Sequence, residues 1–329
     1  MRSLTTRWPE PSPEELLKGF TPPPHFAEAR FDSYHPQDPS QADAKAALIA
    51  FADALNTPQR TGLFARKSAP PKGRYLDGGF GVGKTHLLAA LWNAATVPAA
   101  FGTFVGYTNL VGALGFNKVV DALATFNLVC IDEFELDDPG DTVLMSTLCS
   151  RLVERGVTLA ATSNTLPDQL GEGRFAAEDF LREIQGLASH FDVLRIDGED
   201  YRHRNRLPRA KALPEPRVVD SISAIPDATL DEFDSLLAHL AHVHPSRYRL
   251  LLTDTPAIGL LRVHQITDQT AALRLVVFVD RLYDLDVDVY LQGVDIADVF
   301  APELLAGGYR KKYFRALSRL ESLAITATA

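Results

Sequence analysis

The segment GGFGVGKT at residues 78–85 has the residue types and the spacing of a phosphate-binding loop, G-x4-G-K-T. Glycines such as Gly83 allow the backbone conformations in which successive N–H groups surround phosphate oxygens. Lys84 would reach the terminal phosphates, and the Thr85 hydroxyl would bind Mg²⁺. The predicted cofactors are therefore ATP and Mg²⁺. The predicted cofactor-binding residues are Gly78, Gly79, Phe80, Gly81, Val82, Gly83, Lys84 and Thr85.

An apolar run, NLVCIDE at residues 127–133, ends in two acidic residues. If this run forms a strand beside the phosphate loop, Asp132 lies against Mg²⁺ and joins Thr85 as a predicted metal ligand. Glu133 then lies where a general base can orient and deprotonate an attacking water. An acidic turn after a strand is common by itself, but in a chain that also has a phosphate loop it indicates a role in hydrolysis.

The next apolar run, VTLAATSN at residues 157–164, ends in Asn164. Its side-chain amide would hold the lytic water or the γ-phosphate. An isolated asparagine at a strand end would be a turn residue, but the neighbouring motifs favour the catalytic role. We therefore predict Lys84, Glu133 and Asn164 as catalytic residues.

Between residues 74 and 197, short β-type runs alternate with helical patterns. Strands separated by helices pair in parallel and are covered on both faces. This arrangement resembles the plan of the AAA+ ATPases. The predicted fold class is therefore α/β, a P-loop NTPase (AAA+-like) parallel sheet with helices on both faces and a C-terminal α/β extension. The predicted strands are 74–78, 103–108, 127–132, 157–163 and 192–197, and helices are predicted at 85–95 and 141–155.

The distribution of proline divides the chain. Eleven of the 21 prolines lie in residues 1–71, which are predicted to form a mostly extended arm with one helix at 43–55, because proline fixes φ and removes a donor. The other predicted regions are an ATPase core at 72–205, a linker at 206–229 and a C-terminal α/β lid-like region at 230–329. The last region has predicted helices at 231–241, 268–282 and 309–323 and predicted strands at 247–253 and 287–293.

The string IDEFELDDPGD, followed by ATSN and DQLGEG, resembles the ZapE family of cell-division ATPases, relatives of the mitochondrial lactation-elevated ATPase. The DEF-x3-D-x2-D pattern of that family is matched by Asp132, Glu133, Phe134, Asp138 and Asp141. Further matches lie at 155–157, 180–181, 200–202 and 317–320, so the resemblance runs from about residue 70 to the C-terminus. The resemblance implies ATP hydrolysis coupled to remodelling of a protein partner, with the cell-division ring as the expected partner.

Arginines could complete such a site from a neighbouring subunit, where a cation stabilises the transition state. Arg174 is the predicted arginine finger, with Arg182 and Arg155 as alternatives. Arg319, in the segment YFRALSRL, resembles a second sensor that reports nucleotide from the lid. A finger of this kind implies a nucleotide-dependent homo-oligomer.

Charge restricts the other partners. The chain has 33 Lys+Arg against 42 Asp+Glu, a net charge of −9, which excludes a protein that coats nucleic acid. The basic run at 202–211 could contact nucleic acid or acidic lipid. It lacks the interleaved aromatic residues of base-stacking surfaces, which favours a solvated linker. Nucleic acid is therefore not an expected partner, whereas peripheral membrane contact stays open.

Composition favours a cytoplasmic protein. Cys130 and Cys149 belong to no CxxC or Cys/His cluster, which argues against a disulfide framework or a zinc finger. No apolar run approaches the roughly 18 residues that span a bilayer, and the first residues lack the apolar region of a secretory signal.

Two other functions are compatible with the same motifs. Replication ATPases share this core, so the chain could be a loader directed to nucleic acid, in which case the basic run should matter. Alternatively, it could be a nucleotide-gated scaffold that binds ATP with little turnover, which the absence of an arginine finger would favour.

Overall fold

In this computed structural model, the structure describes residues 2–57, 71–79, 81–134, 139–166, 181–198 and 210–325. The chain divides into two compact units, each described here by itself. The core unit is Leu17–Arg204, and the C-terminal unit combines Met1–Leu16 with Asn205–Ala329. This grouping differs from the predicted division in that the first 16 residues lie with the C-terminal region.

The core unit contains a parallel five-stranded sheet. Its strands are β1 Gly73–Gly78, β2 Ala99–Thr103, β3 Leu128–Asp132, β4 Thr158–Ser163 and β5 Phe191–Ile196. Their order across the sheet is β2-β3-β4-β1-β5. Every residue of β3 and β4 is buried, which agrees with the apolar runs from which these central strands were predicted.

Helices cover both faces of this sheet. They are α2 Pro39–Asn56, α3 Lys84–Ala94, α4 Phe104–Leu114, α5 Phe116–Leu123, α6 Pro139–Glu154 and α7 Leu181–Ala188. A short helix, α1 Pro13–Lys18, precedes them in the chain. The crossover from β1 to β2 runs in the opposite direction to those from β2 to β3 and from β3 to β4. Because parallel crossovers are right-handed, α3 covers one face and α4 to α6 cover the other. The predicted α/β fold class is confirmed.

The predicted strand at 103–108 is wrong. Strand β2 ends at Thr103, whose side chain accepts a hydrogen bond from the Gly106 N–H and caps α4. The β-prone residues Phe104 and Tyr107 lie inside the helix, where both are buried. Here the cap and the packing of aromatic side chains outweigh the β propensity of the segment.

The C-terminal unit has a second parallel sheet, in the order β6-β7-β8. Its strands are β6 Thr229–Glu232, β7 Ala257–Val263 and β8 Asp288–Gly293. Its helices are α8 Glu215–Ala224, α9 Phe233–His242, α10 Tyr248–Leu251, α11 Gln269–Asp284, α12 Pro302–Ala306 and α13 Arg310–Leu323. Helix α8 lies within the segment predicted as a linker. The predicted helices at 268–282 and 309–323 and the predicted strand at 287–293 are confirmed.

The predicted strand at 247–253 is wrong. That segment contains the short helix α10, and the strand follows it at 257–263. Pro245 begins a 3-10 turn that leads into the helix, and the buried Tyr248 hydroxyl donates a hydrogen bond to the Leu240 carbonyl at 2.6 Å. These tertiary contacts override the strand preference of the sequence RYRLLLT.

The first residues of the chain lie against β6. Arg2 forms a parallel β-bridge with Thr229, and the Leu4 N–H donates to Asp231 Oδ2 at 3.0 Å. The Leu4 side chain is fully buried in the hydrophobic core of the C-terminal unit. The N-terminal segment is therefore part of that unit's core.

Among the described residues, no helix has both the length and the apolar character that crossing a membrane requires.

Candidate nucleotide-binding site

The predicted site residues of the core unit lie at one edge of its sheet. The phosphate loop follows β1, Asp132 ends β3, and Asn164 follows β4. Strand β4 pairs with both β1 and β3, so the three carboxyl ends are adjacent. Between β1 and β4 the direction of the connections reverses, and ligands of open α/β sheets bind in the crevice at such a point.

The backbone of the phosphate loop has the conformation that its glycines allow. Gly81 and Gly83 have φ values of 71° and 88°, in the left-handed region. Gly78 packs so closely on β5 that an added Cβ would lie 2.1 Å from the Ile196 carbonyl oxygen. Helix α3 begins at Lys84, which directs its positive end towards the loop. Phe80 lies outside the described residues.

The Lys84 side chain folds over the start of the loop. Its Nζ donates hydrogen bonds to the carbonyl oxygens of Gly78 at 2.7 Å and Gly79 at 2.5 Å. It also contacts the Asn164 Oδ1 at 2.9 Å. The structure therefore brings together the predicted phosphate-binding lysine and the predicted polar sensor, which are 80 residues apart in the sequence.

Asp132 lies beside the hydroxyl of Thr85, which is in the first turn of helix α3. Both carboxylate oxygens of Asp132 are 3.1 Å from Thr85 Oγ1. The Thr162 hydroxyl donates to Asp132 Oδ1 at 2.5 Å and accepts the Glu133 N–H at 3.0 Å. The two predicted metal ligands are thus in contact, and Thr162 joins the acidic pair from the neighbouring strand.

The electrostatics of this pair suit a cation. Burial raises the pKa of Asp132, and the neighbouring Glu133 carboxylate raises it further, while hydrogen bonds from Thr162 and Thr85 oppose the shift. A cation beside such a carboxylate would favour its charged form. The donor set, a hydroxyl and a carboxylate, consists of the oxygen atoms that Mg²⁺ prefers. Mg²⁺ therefore fits these residues.

Glu133 has an uncommon backbone conformation, with φ at +53°. Its N–H is held by Thr162, and the following Phe134 N–H donates to the Thr162 carbonyl at 2.7 Å. Phe134 is fully buried. The chain therefore turns at Glu133, immediately beyond the strand end, between two anchored neighbours.

The sequence analysis missed two residues that precede the loop: Tyr34, which bonds to the loop, and Gln41, which bonds to the residue that follows β5. The Tyr34 hydroxyl donates to the Val82 carbonyl at 2.8 Å. Gln41 is almost fully buried, and its Nε2 donates to the Asp197 carbonyl at 2.9 Å. The segment QDPSQ contained one usable signal, because Asp38 caps α2 by accepting the Ser40 N–H.

The predicted arginines are distributed over several elements. Arg182 is exposed on α7, and Arg155 pairs with Asp121 at 3.2 Å on the surface. Arg319 lies on α13 of the C-terminal unit, where its guanidinium pairs with Asp280. Outside the described residues lie Arg174, most of the basic run at 202–211 and the motif matches Asp138, Phe180 and 200–202.

The parallel sheet, the loop at its switch point and the acidic strand end define a P-loop ATPase. Two segments of the chain, residues 12–225 and 218–327, match the model of the AFG1-like ATPase family. The chain therefore belongs to that family, and the resemblance derived from its motifs is confirmed. Nucleotide binding is implied by this membership.

Two curated relatives are similar to this chain over part of their length. Cell division protein ZapE of Escherichia coli K12 is 29% identical over 216 residues, which cover 57% of this chain and 58% of that protein. Lactation elevated protein 1 homolog B of Danio rerio is 24% identical over 186 residues, covering 48% of this chain and 37% of that protein. The chain thus spans less than two thirds of each of these relatives.

Among solved structures, the crystal structure of the DnaI is similar with a TM-score of 0.44 and 21% identity. The similarity covers 54% of this chain and 93% of that one.

Proposed function

We propose that this protein binds ATP with Mg²⁺ and hydrolyses it. The observation that carries the proposal is the contact of Thr85 with both carboxylate oxygens of Asp132, beside a phosphate loop whose Lys84 reaches Asn164. Phosphoryl transfer requires positioning and charge stabilisation more than covalent chemistry. The side chains of this cluster would supply both positioning and charge stabilisation. They come from β3, from the start of α3 and from the segments that follow β1 and β4.

Each residue has a distinct proposed role. Backbone N–H groups of residues 78–85 bind the phosphates, and Lys84 neutralises the terminal phosphate charge. Thr85 and Asp132 would hold Mg²⁺, which when bound offsets the negative charge of the phosphates. Glu133 orients the attacking water and accepts its proton, while Asn164 holds that water or the γ-phosphate through its amide.

The arginine finger is proposed to come from a neighbouring copy of the chain in a nucleotide-dependent homo-oligomer. Arg174 is the first candidate, with Arg182 and Arg155 as alternatives, and Arg319 is the proposed second sensor. A finger stabilises charge on the transferred phosphoryl group only when the neighbour is present. Turnover per chain should then rise with protein concentration.

We further propose that hydrolysis is coupled to remodelling of a protein partner in the cytoplasm. The similarity to a cell division protein, ZapE of Escherichia coli, supports the division ring as that partner. Nucleic acid is not the proposed partner because the chain carries a net charge of −9.

The first test is ATP turnover in Lys84→Ala and Glu133→Gln. We expect Lys84→Ala to lose nucleotide binding, and Glu133→Gln to bind ATP but to hydrolyse it at least about 100-fold more slowly, the usual contribution of a general base. Matched controls are Lys118→Ala and Glu154→Gln, which change the same residue types on exposed helix surfaces. Unaltered turnover in both site variants contradicts the proposal.

Two measurements separate the rival functions. A loader directed to nucleic acid would bind DNA with an affinity that falls steeply with salt. A nucleotide-gated scaffold would bind ATP with turnover that stays minimal at every protein concentration. Turnover measured against concentration, with size-exclusion profiles with and without nucleotide, distinguishes these outcomes from the ATP-hydrolysing oligomer.

A further inference from the structure

Tyr34 belongs to a segment that lies along helix α3. We call residues 24–36 the strap. Its Ala29 carbonyl accepts a hydrogen bond from Asn93 Nδ2 at 2.9 Å, and its Ser33 hydroxyl is 3.0 Å from His86 Nε2. Asn93 and His86 lie two turns apart on α3. The strap is therefore anchored to the helix that follows the phosphate loop.

The Tyr34 side chain contacts the loop itself in two ways. Its hydroxyl donates to the Val82 carbonyl at 2.8 Å. Its ring lies over Gly83, where an added Cβ would be 2.5 Å from the ring Cε2. Only 7% of Tyr34 is exposed. The ring thus covers one side of the loop at the residue before Lys84, and the hydroxyl holds a loop carbonyl.

The planar peptide bond links the direction of the Val82 carbonyl to the direction of the Gly83 N–H. In a planar trans peptide, the C=O and the following N–H point in opposite directions. A hydrogen bond that holds the Val82 carbonyl towards Tyr34 therefore directs the Gly83 N–H away from Tyr34. Phosphate loops bind their anion with backbone N–H groups that converge on one point. The direction of this N–H is then set from outside the loop.

We propose that Tyr34 is a positioning residue for phosphate binding, which fixes the Val82–Gly83 peptide so that the Gly83 N–H faces the phosphates. This inference rests on the proposed function, because it requires nucleotide at the loop. The inference assigns part of phosphate binding to the strap. The strap lies about 50 residues before the phosphate loop and contains none of the residues of the phosphate-loop motif. The alternative role is simple packing of the strap by the Tyr34 ring.

Tyr34→Phe separates the two roles, because it keeps the ring and removes only the hydroxyl. We expect its dissociation constant for ADP to rise roughly two- to tenfold, the effect of one net hydrogen bond. Competition of inorganic tripolyphosphate against a fluorescent ADP should weaken by the same factor. Competition by adenosine, which has no phosphate, should be unchanged.

The matched control is Tyr248→Phe. Tyr248 is also buried, and its hydroxyl also donates to a backbone carbonyl, in the C-terminal unit. We expect this variant to bind ADP with wild-type affinity. Circular dichroism and the melting temperature verify that both variants fold.

Four results overturn the inference. Wild-type affinity of Tyr34→Phe for ADP shows that the hydroxyl does not position the loop. An equal loss of adenosine and tripolyphosphate binding, or an equal loss of ADP binding in Tyr248→Phe, shows a general structural role. If the wild-type protein itself binds no nucleotide, the proposed function fails, and the inference fails with it. The first three outcomes leave the proposed function intact.

Discussion

Thr162 joins the two acidic residues of the candidate site. Its hydroxyl donates to Asp132 and accepts the N–H of Glu133, so one side chain fixes both a carboxylate and a backbone turn. It lies inside the apolar strand β4 and is 2% exposed. A threonine in such a strand has the sequence signature of an ordinary β residue. Its role depends on the pairing of β3 with β4, which the sequence does not specify locally.

We expect Thr162→Val to reduce ATP turnover by about ten- to a hundredfold, because it removes a hydrogen bond to a charged group and leaves the partly buried Glu133 N–H without its acceptor. Thr162→Ser keeps the hydroxyl and should recover most of the rate. Steady-state kinetics at saturating ATP provide the measurement. Equal rates for Thr162→Val and the wild type would show that the acidic pair does not need this hydroxyl.

The local motifs were predictable because each lies within one short segment. The phosphate loop, the acidic pair at the end of β3 and Asn164 all follow apolar runs, and parallel strands bring their carboxyl ends to one edge. Tyr34 had no such signal, since its contact with Val82 joins residues 48 apart through tertiary packing. The same limit applied to 103–108, where a helix cap decided against a strand.

At the scale of helices, α11 and α13 of the C-terminal unit are joined by a partly buried ion cluster. Asp280 pairs with Arg315 at 3.0 Å and with Arg319, and Arg319 also lies 5.1 Å from the centre of the Tyr283 ring. Burial alone would raise the pKa of Asp280, but the two guanidinium groups outweigh it, and the pKa is lowered. Any sensor role of Arg319 must therefore coexist with this contact.

We expect Asp280→Asn to destabilise the C-terminal unit by about 3 kcal/mol at pH 7, because two partly buried guanidinium groups lose their counter-ion. A lowered folded-state pKa gives stability that is present above the unfolded pKa of about 3.9 and is lost as the pH falls through the folded value. The difference between wild type and variant should therefore shrink in acid.

Urea unfolding at pH 7 and in acid measures this difference. The control is Asp121→Asn, which breaks the exposed pair with Arg155 and should change the unfolding free energy by less than about 1 kcal/mol. Equal effects of the two substitutions at pH 7 would contradict the assignment of Asp280 as a structural counter-ion.

At the scale of the molecule, the N-terminal segment is shared between the two units. Residues up to Leu16 belong to the C-terminal unit, whereas Leu17 onwards, with the strap and α2, belongs to the core unit. The proline content of residues 1–71 suggested one extended arm. Proline content shows where the backbone is restricted, but it does not show which side chains are buried. Leu4, for example, is fully buried.

The separate cores of the two units lead to a final prediction. Leu4 packs among the buried side chains of the C-terminal unit, which include Phe233 and Leu236 of α9. We expect Leu4→Ala to destabilise that unit by about 2–5 kcal/mol, the usual range for a buried leucine. The affinity for ADP should stay at the wild-type value, because the phosphate loop, Asp132 and Asn164 all lie in the core unit. Leu48→Ala is the matched variant, since Leu48 of α2 is equally buried in the core unit, where it packs with residues of α3 and the sheet.

Limited proteolysis with mapping of the cut sites should show earlier cleavage within 210–325 for Leu4→Ala and within 17–198 for Leu48→Ala. The same cleavage pattern in both variants would contradict the prediction, because it would mean that the two units unfold together in one cooperative transition.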